Sequence, residues 1–286
     1  MTNSMRISEP EGEPTPSDRP SAGELLARYS VGEQEQTRSA GERGKLAAQL
    51  TAALARSAQA AGAGAVATGR WLGDLLIEAA PHIPVRDLET LQRHHRGLHG
   101  DLLADALVRN AARATAAVGV AGGALSAVKW TAPMTMLTFP IQLAVQTLAV
   151  AAIEVKLVAE LHEAYAVPVA GTGSQRGAAY VMAWANRRGV NPAQPASLLT
   201  VVGPVARQQV GRRVAARAGL NIGTLAPMMA GAAIGGRSNY RQTQKLSDAL
   251  RGDLRRRAPL TGGLTGRVVN RLLDPRRRRG STQPPA

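Results

Sequence analysis

Residues 130–165 read WTAPMTMLTFPIQLAVQTLAVAAIEVKLVAELHEAY, and residues 130–153 carry no charge. A bilayer core about 30 Å thick takes about 20 apolar residues of helix at 1.5 Å each, so this length raises the question of a membrane span. Two prolines argue against one. Pro133 and Pro140 lack the amide N–H that a helix interior uses, and Pro140 fits the first turn of a new helix. The apolar part is then residues 141–153, about 20 Å of helix, which suits a buried core helix or a partly inserted hairpin better than a span.

At about 100° per residue, Gln142, Gln146, Lys156, Glu160 and Glu163 fall in one arc. The spacing predicts one polar face on a helix otherwise made of Ala, Val, Leu and Ile, with Lys156 and Glu160 placed for an i,i+4 pair. Glu154 projects on the other side, in line with Leu143 and Leu161 and close to Val158. A lone carboxylate there is costly, so the position predicts either an arginine from another helix or a wet face at that level.

Composition limits the rest. The 286 residues are ample for a core, but with three Trp, four Tyr and one Phe the interior must be built from Ala, Leu, Val and Gly. That favours closely packed helices over a β-sandwich, and no period-2 run of β-branched residues is long enough for a sheet. The expected class is all-α, an Ala/Gly-rich multi-helix bundle. Without cysteine, disulfides, thiol nucleophiles and cysteine-held zinc are excluded. The N-terminus carries acids and prolines where a secretory signal would need a basic and then apolar run, so the chain is expected to stay inside the cell.

The net charge of +15 is uneven. Residues 1–175 hold 15 Lys and Arg against 17 Asp and Glu, whereas residues 176–286 hold 20 against 3, giving −2 and +17. Such asymmetry points to anionic lipid or nucleic acid, although 31 of the 35 basic residues are Arg, a pattern that GC-rich coding also produces.

Three regions follow. Residues 1–44 read as a disordered acidic, proline-rich arm with at most a weak helix near residues 25–29. Residues 45–258 read as the helical domain, and 259–286 as a basic disordered tail ending DPRRRRGSTQPPA. In the domain, Leu46, Leu50, Leu54, Leu72, Leu75 and Leu76 follow helical spacing, broken at Gly62 to Gly64. PHIPVRD forces an extended turn before a helix at Asp87. Asp101 is placed as an N-cap, with an i,i+4 Asp105–Arg109 pair behind it. Gly119 and Gly123 have the spacing of a close helix crossing. The central helix is expected to stop at Val167-Pro168, Ser174 to cap the next one and Gly189 to end it. Further helices are expected over 195–218 and 224–257, and the uncharged run 218–236, with five glycines and Pro227, is too broken to span.

Of the motifs that could carry chemistry, His95 and His99 have the i,i+4 spacing of a metal pair, but Gly97 between them and the lack of a zincin Glu leave them weak candidates. The loop GTGSQRG at 171–177 fails both the dinucleotide and the P-loop pattern. No nucleophile elbow or general acid–base pair is present. The sequence therefore assigns no catalytic residue, metal or cofactor.

The ordered series PHIPVRD, LQRHHRGLHGDLLADALVRNAA, VGVAGGAL, IEVKLVAELHEAY, GTGSQRGAAYVMAW and GAAIGGRSNYRQTQKL resembles the actinobacterial branch of the EcsC family over about residues 70–257. The resemblance implies an α-helical bacterial protein associated with ABC transporters and secretion, and it carries over no catalytic residue. It directs attention to Arg86, Asp87, Glu160, His162, Arg176, Asn239 and Thr243, which join Glu154 and Lys156 as a candidate polar cluster. The family pattern has Tyr-Gly where this chain has Tyr165-Ala166.

The resulting expectation is a non-enzymatic protein on the inner face of the cell membrane, acting by interaction and accessory to an ABC transporter or another membrane protein. On the helix over 238–257, Leu246, Ala249, Leu250 and Leu254 share one side, which leaves Arg241, Lys245, Arg251 and Arg255 to reach anionic lipid together with Arg276, Arg277, Arg278 and Arg279. The rivals are a soluble nucleic-acid binder, which needs only phosphate contact by arginine, and a hydrolase built on the histidines.

Overall fold

The computed structural model describes residues 20–35, 39–68, 70–128, 138–189 and 225–258. The fold is all-α, and among the described residues no strand occurs. The helices are α1 (Ala22–Glu35), α2 (Ala40–Thr68), α3 (Arg70–Ala79), α4 (Leu88–His94), α5 (Gly100–Val128), α6 (Thr138–Ala164), α7 (Gly173–Arg188) and α8 (Leu225–Arg257), with a 3-10 turn at Ala80–His82. The expected helix over 195–218, Pro133 and the tail arginines 276–279 lie outside the described residues.

The first two helices begin on the same four letters. Ser21-Ala-Gly-Glu24 and Ser39-Ala-Gly-Glu42 each place a serine hydroxyl to accept the backbone N–H three residues on, at 3.1 and 3.3 Å. Glu42 returns a carboxylate oxygen to the Ser39 amide, completing a capping box. This corrects the expectation of disorder through residue 44. The region is polar on average, but Leu25, Leu26 and Ala27 cluster in one buried patch, and α1 packs on α2, α3, α5 and α6. In α2 the helical path breaks at Gly62, whose φ of 81° is left-handed.

Helix α6 is the axis of the described fold and touches each of the seven other described helices. Every residue from Ala151 to His162 is buried. The expected polar face is therefore not a water-facing one: Gln146 and Glu163 are only half-buried, but Lys156 and Glu160 are enclosed like the apolar residues beside them. The helix stops at Ala164, short of Val167-Pro168. Ala166 turns left-handed with φ 52°, so that its N–H meets Glu163 O and the Val167 N–H meets His162 O. Glycine is the usual residue here, and an alanine in this conformation costs about 1 to 2 kcal/mol.

Helix α5 runs antiparallel to α8, pairing Asp101 with Arg255, Thr115 with Asn239 and Gly119 with Gly235 in step. A Cβ at Gly119 would stand 2.6 Å from Gly235 O, so the two backbones touch. Helix α7 is capped by Thr172, with Gln175 closing the box, rather than by Ser174; Gly189 in the left-handed region ends it. Asp101 lies in the first turn of α5, where its carboxylate turns to another helix instead of capping its own. No described helix is long and apolar enough to cross a membrane.

Candidate functional site

Three polar knots lie along α6, the first two buried and the third at the surface. At the first, Glu154 is wholly enclosed and its carboxylate collects donors from two other helices. From α7, Trp184 Nε1 donates at 2.8 Å and Arg188 Nε at 2.9 Å to Oε2, while a second Arg188 nitrogen reaches Oε1. From α8, the Thr243 hydroxyl donates to Oε1 at 2.8 Å. Thr115 of α5 stands 2.9 Å from the Thr243 hydroxyl, and Asn239 Nδ2 donates to the Thr115 carbonyl. Arg188 is therefore the arginine that the apolar-side position of Glu154 demanded, and Gln242 accepts from its remaining arm.

At the second knot, two turns along, Glu160 takes Arg86 through both oxygens at 2.8 and 3.3 Å and also the ammonium of Lys156. Lys156 is 1 % exposed and donates to Pro84 O at 2.9 Å. The PHIPVRD loop is thereby tied to α6, and its last residue, Asp87, caps α4 by accepting from Thr90 N at 2.8 Å.

The third knot closes the far end. The Tyr165 hydroxyl donates to Asp101 at 2.6 Å, Arg255 binds the same oxygen, and Arg251 reaches Asp105 at 2.7 Å. Burial alone would raise the Asp101 carboxyl; the Tyr165 hydroxyl and the Arg255 and Arg251 guanidiniums outweigh it and hold it below the usual range. Two expectations are corrected here. Asp105 pairs across helices with Arg251 rather than along its own with Arg109, and Arg251 is drawn in against α5 instead of facing outward, whereas Arg255 stays exposed while bonding Asp101. Ala249 is exposed, whereas Arg241 and Lys245 do face solvent.

Arg176 takes no part in these knots. It is exposed and donates to Gly171 O within its own loop. Nor do His95 and His99 share a helix face, because Arg96 and Gly97 are both left-handed and end α4. His99 Nδ1 meets the Gln92 amide at 2.8 Å, and among the described residues no group of three His, Asp or Glu side chains is placed to hold a metal. What the arrangement does chemically is satisfy charge. Glu154 and Glu160 have their lone pairs occupied by fixed donors, which makes them ties between helices.

His162 is held neutral. Its Nδ1 lies 2.8 Å from Val158 O, its ring leans on Tyr180 at 5.4 Å, and burial pushes its pKa below 6.5 despite the opposing carbonyl bond. An imidazole that resists protonation when folded contributes stability above 6.5, and this is lost as pH falls from that value through the lower folded-state pKa, because the unfolded chain binds the proton more readily. Urea midpoints are thus expected to drop from pH 7.5 to 5.5, and to drop less in His162→Gln; His95, lowered by burial and by Arg86, sustains part of the remainder. Identical pH dependence in the two proteins would exclude His162 as a cause.

With this geometry in view, the chain was compared with known proteins: no protein-family model, curated protein or solved structure matches it.

Proposed function

We propose that the protein is a non-enzymatic helical protein that binds the anionic inner face of the cell membrane and acts there by interaction. The observation that carries this reading is the outer face of α8. Arg237, Arg241 and Lys245 are exposed at helical spacing, and none of them pairs with a carboxylate among the described residues. The basic run Arg276, Arg277, Arg278 and Arg279 adds to the same electrostatic attraction. The resemblance to the EcsC family supports a setting beside an ABC transporter or a secretion system.

Cosedimentation with vesicles tests the proposal. Binding to phosphatidylglycerol-containing vesicles is expected, with none to pure phosphatidylcholine. Each basic residue near the surface is worth about 1 kcal/mol, so replacing Arg241 and Lys245, or the four tail arginines, with Ser should weaken binding roughly fivefold per charge. Deleting residues 280–286 should leave it unchanged. Tighter binding to duplex DNA than to anionic vesicles at the same physiological salt would replace this reading with a nucleic-acid one.

A further inference from the structure

The topology gathers three separate uncharged stretches at one end of the molecule. Helix α5 is antiparallel to α8, and it is antiparallel to α6 as well, since Tyr165 at the end of α6 meets Asp101 at the start of α5. The second half of α5 and the first halves of α6 and α8 therefore share an end. In the sequence these are residues 114–128, 138–153 and 225–236, and none carries a charge.

The charges also stop at one height. Arg113 is the last on α5, Glu154 the first on α6 and Arg237 the first on α8. Glu154 bonds Thr243, which meets Thr115, and Arg237 falls between the Gly119–Gly235 crossing and the Asn239–Thr115 bond. Beyond that level α5 continues for about 22 Å to Val128, where Lys129 closes the uncharged stretch, more than the roughly 15 Å of hydrocarbon in one leaflet and short of two.

The surface changes at the same height. On the uncharged side Val120 is 44 % and Ile234 47 % exposed, and α6, enclosed from Ala151 to His162, is only half-covered at Val145, Gln146, Thr147 and Val150. On the charged side Arg109 and Arg113 of α5 and Arg237, Arg241 and Lys245 of α8 are all exposed. An uncharged end bounded by a collar of cations complements one leaflet of an anionic bilayer, with acyl chains beyond the collar and phosphates at it. Within the helices the backbone groups are satisfied, and only those of the helix ends need other partners as such an end leaves water.

We propose that this end of α5, α6 and α8 inserts into a single leaflet, with the collar at the headgroups, so that the molecule stands end-on in the membrane. The inference rests on the membrane reading above and adds depth and orientation to it. The chain has no cysteine, so single-cysteine labelling tests it directly. Val120→Cys and Ile234→Cys sit at the uncharged end. Met182→Cys is the control, exposed on α7 between Tyr180, which leans on His162, and Trp184, which bonds Glu154, and therefore on the charged side.

Each variant carries a polarity-sensitive fluorophore and is mixed with phosphatidylglycerol vesicles containing spin-labelled lipid. Emission from Val120 and Ile234 should shift to the blue, rise several-fold and be quenched by the acyl-chain spin label, with Met182 unchanged. As a second measurement without labels, Val120→Ser with Ile234→Ser should weaken vesicle binding roughly tenfold. Cosedimentation with the labels still in water would overturn the insertion and leave surface binding standing. Failure of the unlabelled protein to cosediment at all would overturn both. Blue-shifted emission that grows with protein concentration in the absence of lipid would instead assign the uncharged end to a second copy of this chain.

Discussion

Glu154→Ala is expected to lower the unfolding free energy by about 3 to 5 kcal/mol, and the melting temperature by on the order of 10 °C, because the pair is buried and only one partner is removed. Arg188, with a side chain 12 % exposed, would keep its charge without the carboxylate, and the Trp184 N–H and Thr243 hydroxyl would lose their acceptor. Glu154→Gln should cost less, since its amide oxygen still accepts from some of these donors and the shape is kept. Urea titrations of the two variants beside the parent measure the difference. If both unfold with the parent, the carboxylate is solvated and the first knot does not exist.

A second large effect is expected at the α5–α8 crossing. In Gly119→Ala the new methyl would stand 2.6 Å from Gly235 O and 2.8 Å from Asn239 Nδ2. The first neighbour is backbone, which no rotamer change can move, so the helices must separate at a cost of about 1 to 3 kcal/mol. Ala is the better helix former by roughly 0.5 to 1 kcal/mol, so the sign of the change reports on the crossing. Gly44→Ala supplies the contrast. Nothing lies within 4 Å of a Cβ there, and the helical gain should appear alone as stabilisation. Equal stabilisation in both variants would show that the backbones do not touch.

The all-helical class was legible because it follows from composition and period: few aromatics, no alternating runs, and leucines at three and four spacing. The demand of Glu154 for a cation could be read from one position on one wheel. The identity of that cation could not, because Arg188 lies 34 residues away and only the α6–α7 packing brings it near. A hint was present in α7, where Trp184 and Arg188 stand i,i+4 and so share a face.

Two other expectations failed for a common reason. The wheel of α6 gave one polar face without its surroundings, yet α6 is enclosed, and polar side chains in line with one another became internal ties. The wheel of α8 sent Arg251 outward, and missed the Arg255–Asp101 bond, because Asp101 and Asp105 lie about 150 residues earlier in the chain. At the N-terminus the missed signal was local. The repeated Ser-Ala-Gly-Glu is a helix-start signature that survives inside a segment whose average composition argues for disorder.

The antiparallel pairing of α5 with α8 also sets an order of assembly during synthesis. Gly119 waits for Gly235, Glu154 for Thr243 and Asp101 for Arg255, each supplied roughly 90 to 150 residues later. At about 5 to 20 residues per second, the nascent chain holds these groups without their α8 partners for on the order of 10 s. Closing so long a loop is slow compared with forming helices, so the docking of α8 is expected to limit the folding rate. Until α8 arrives, the uncharged second half of α5 lacks its partner, so the stretch least suited to water is also among the last to be covered.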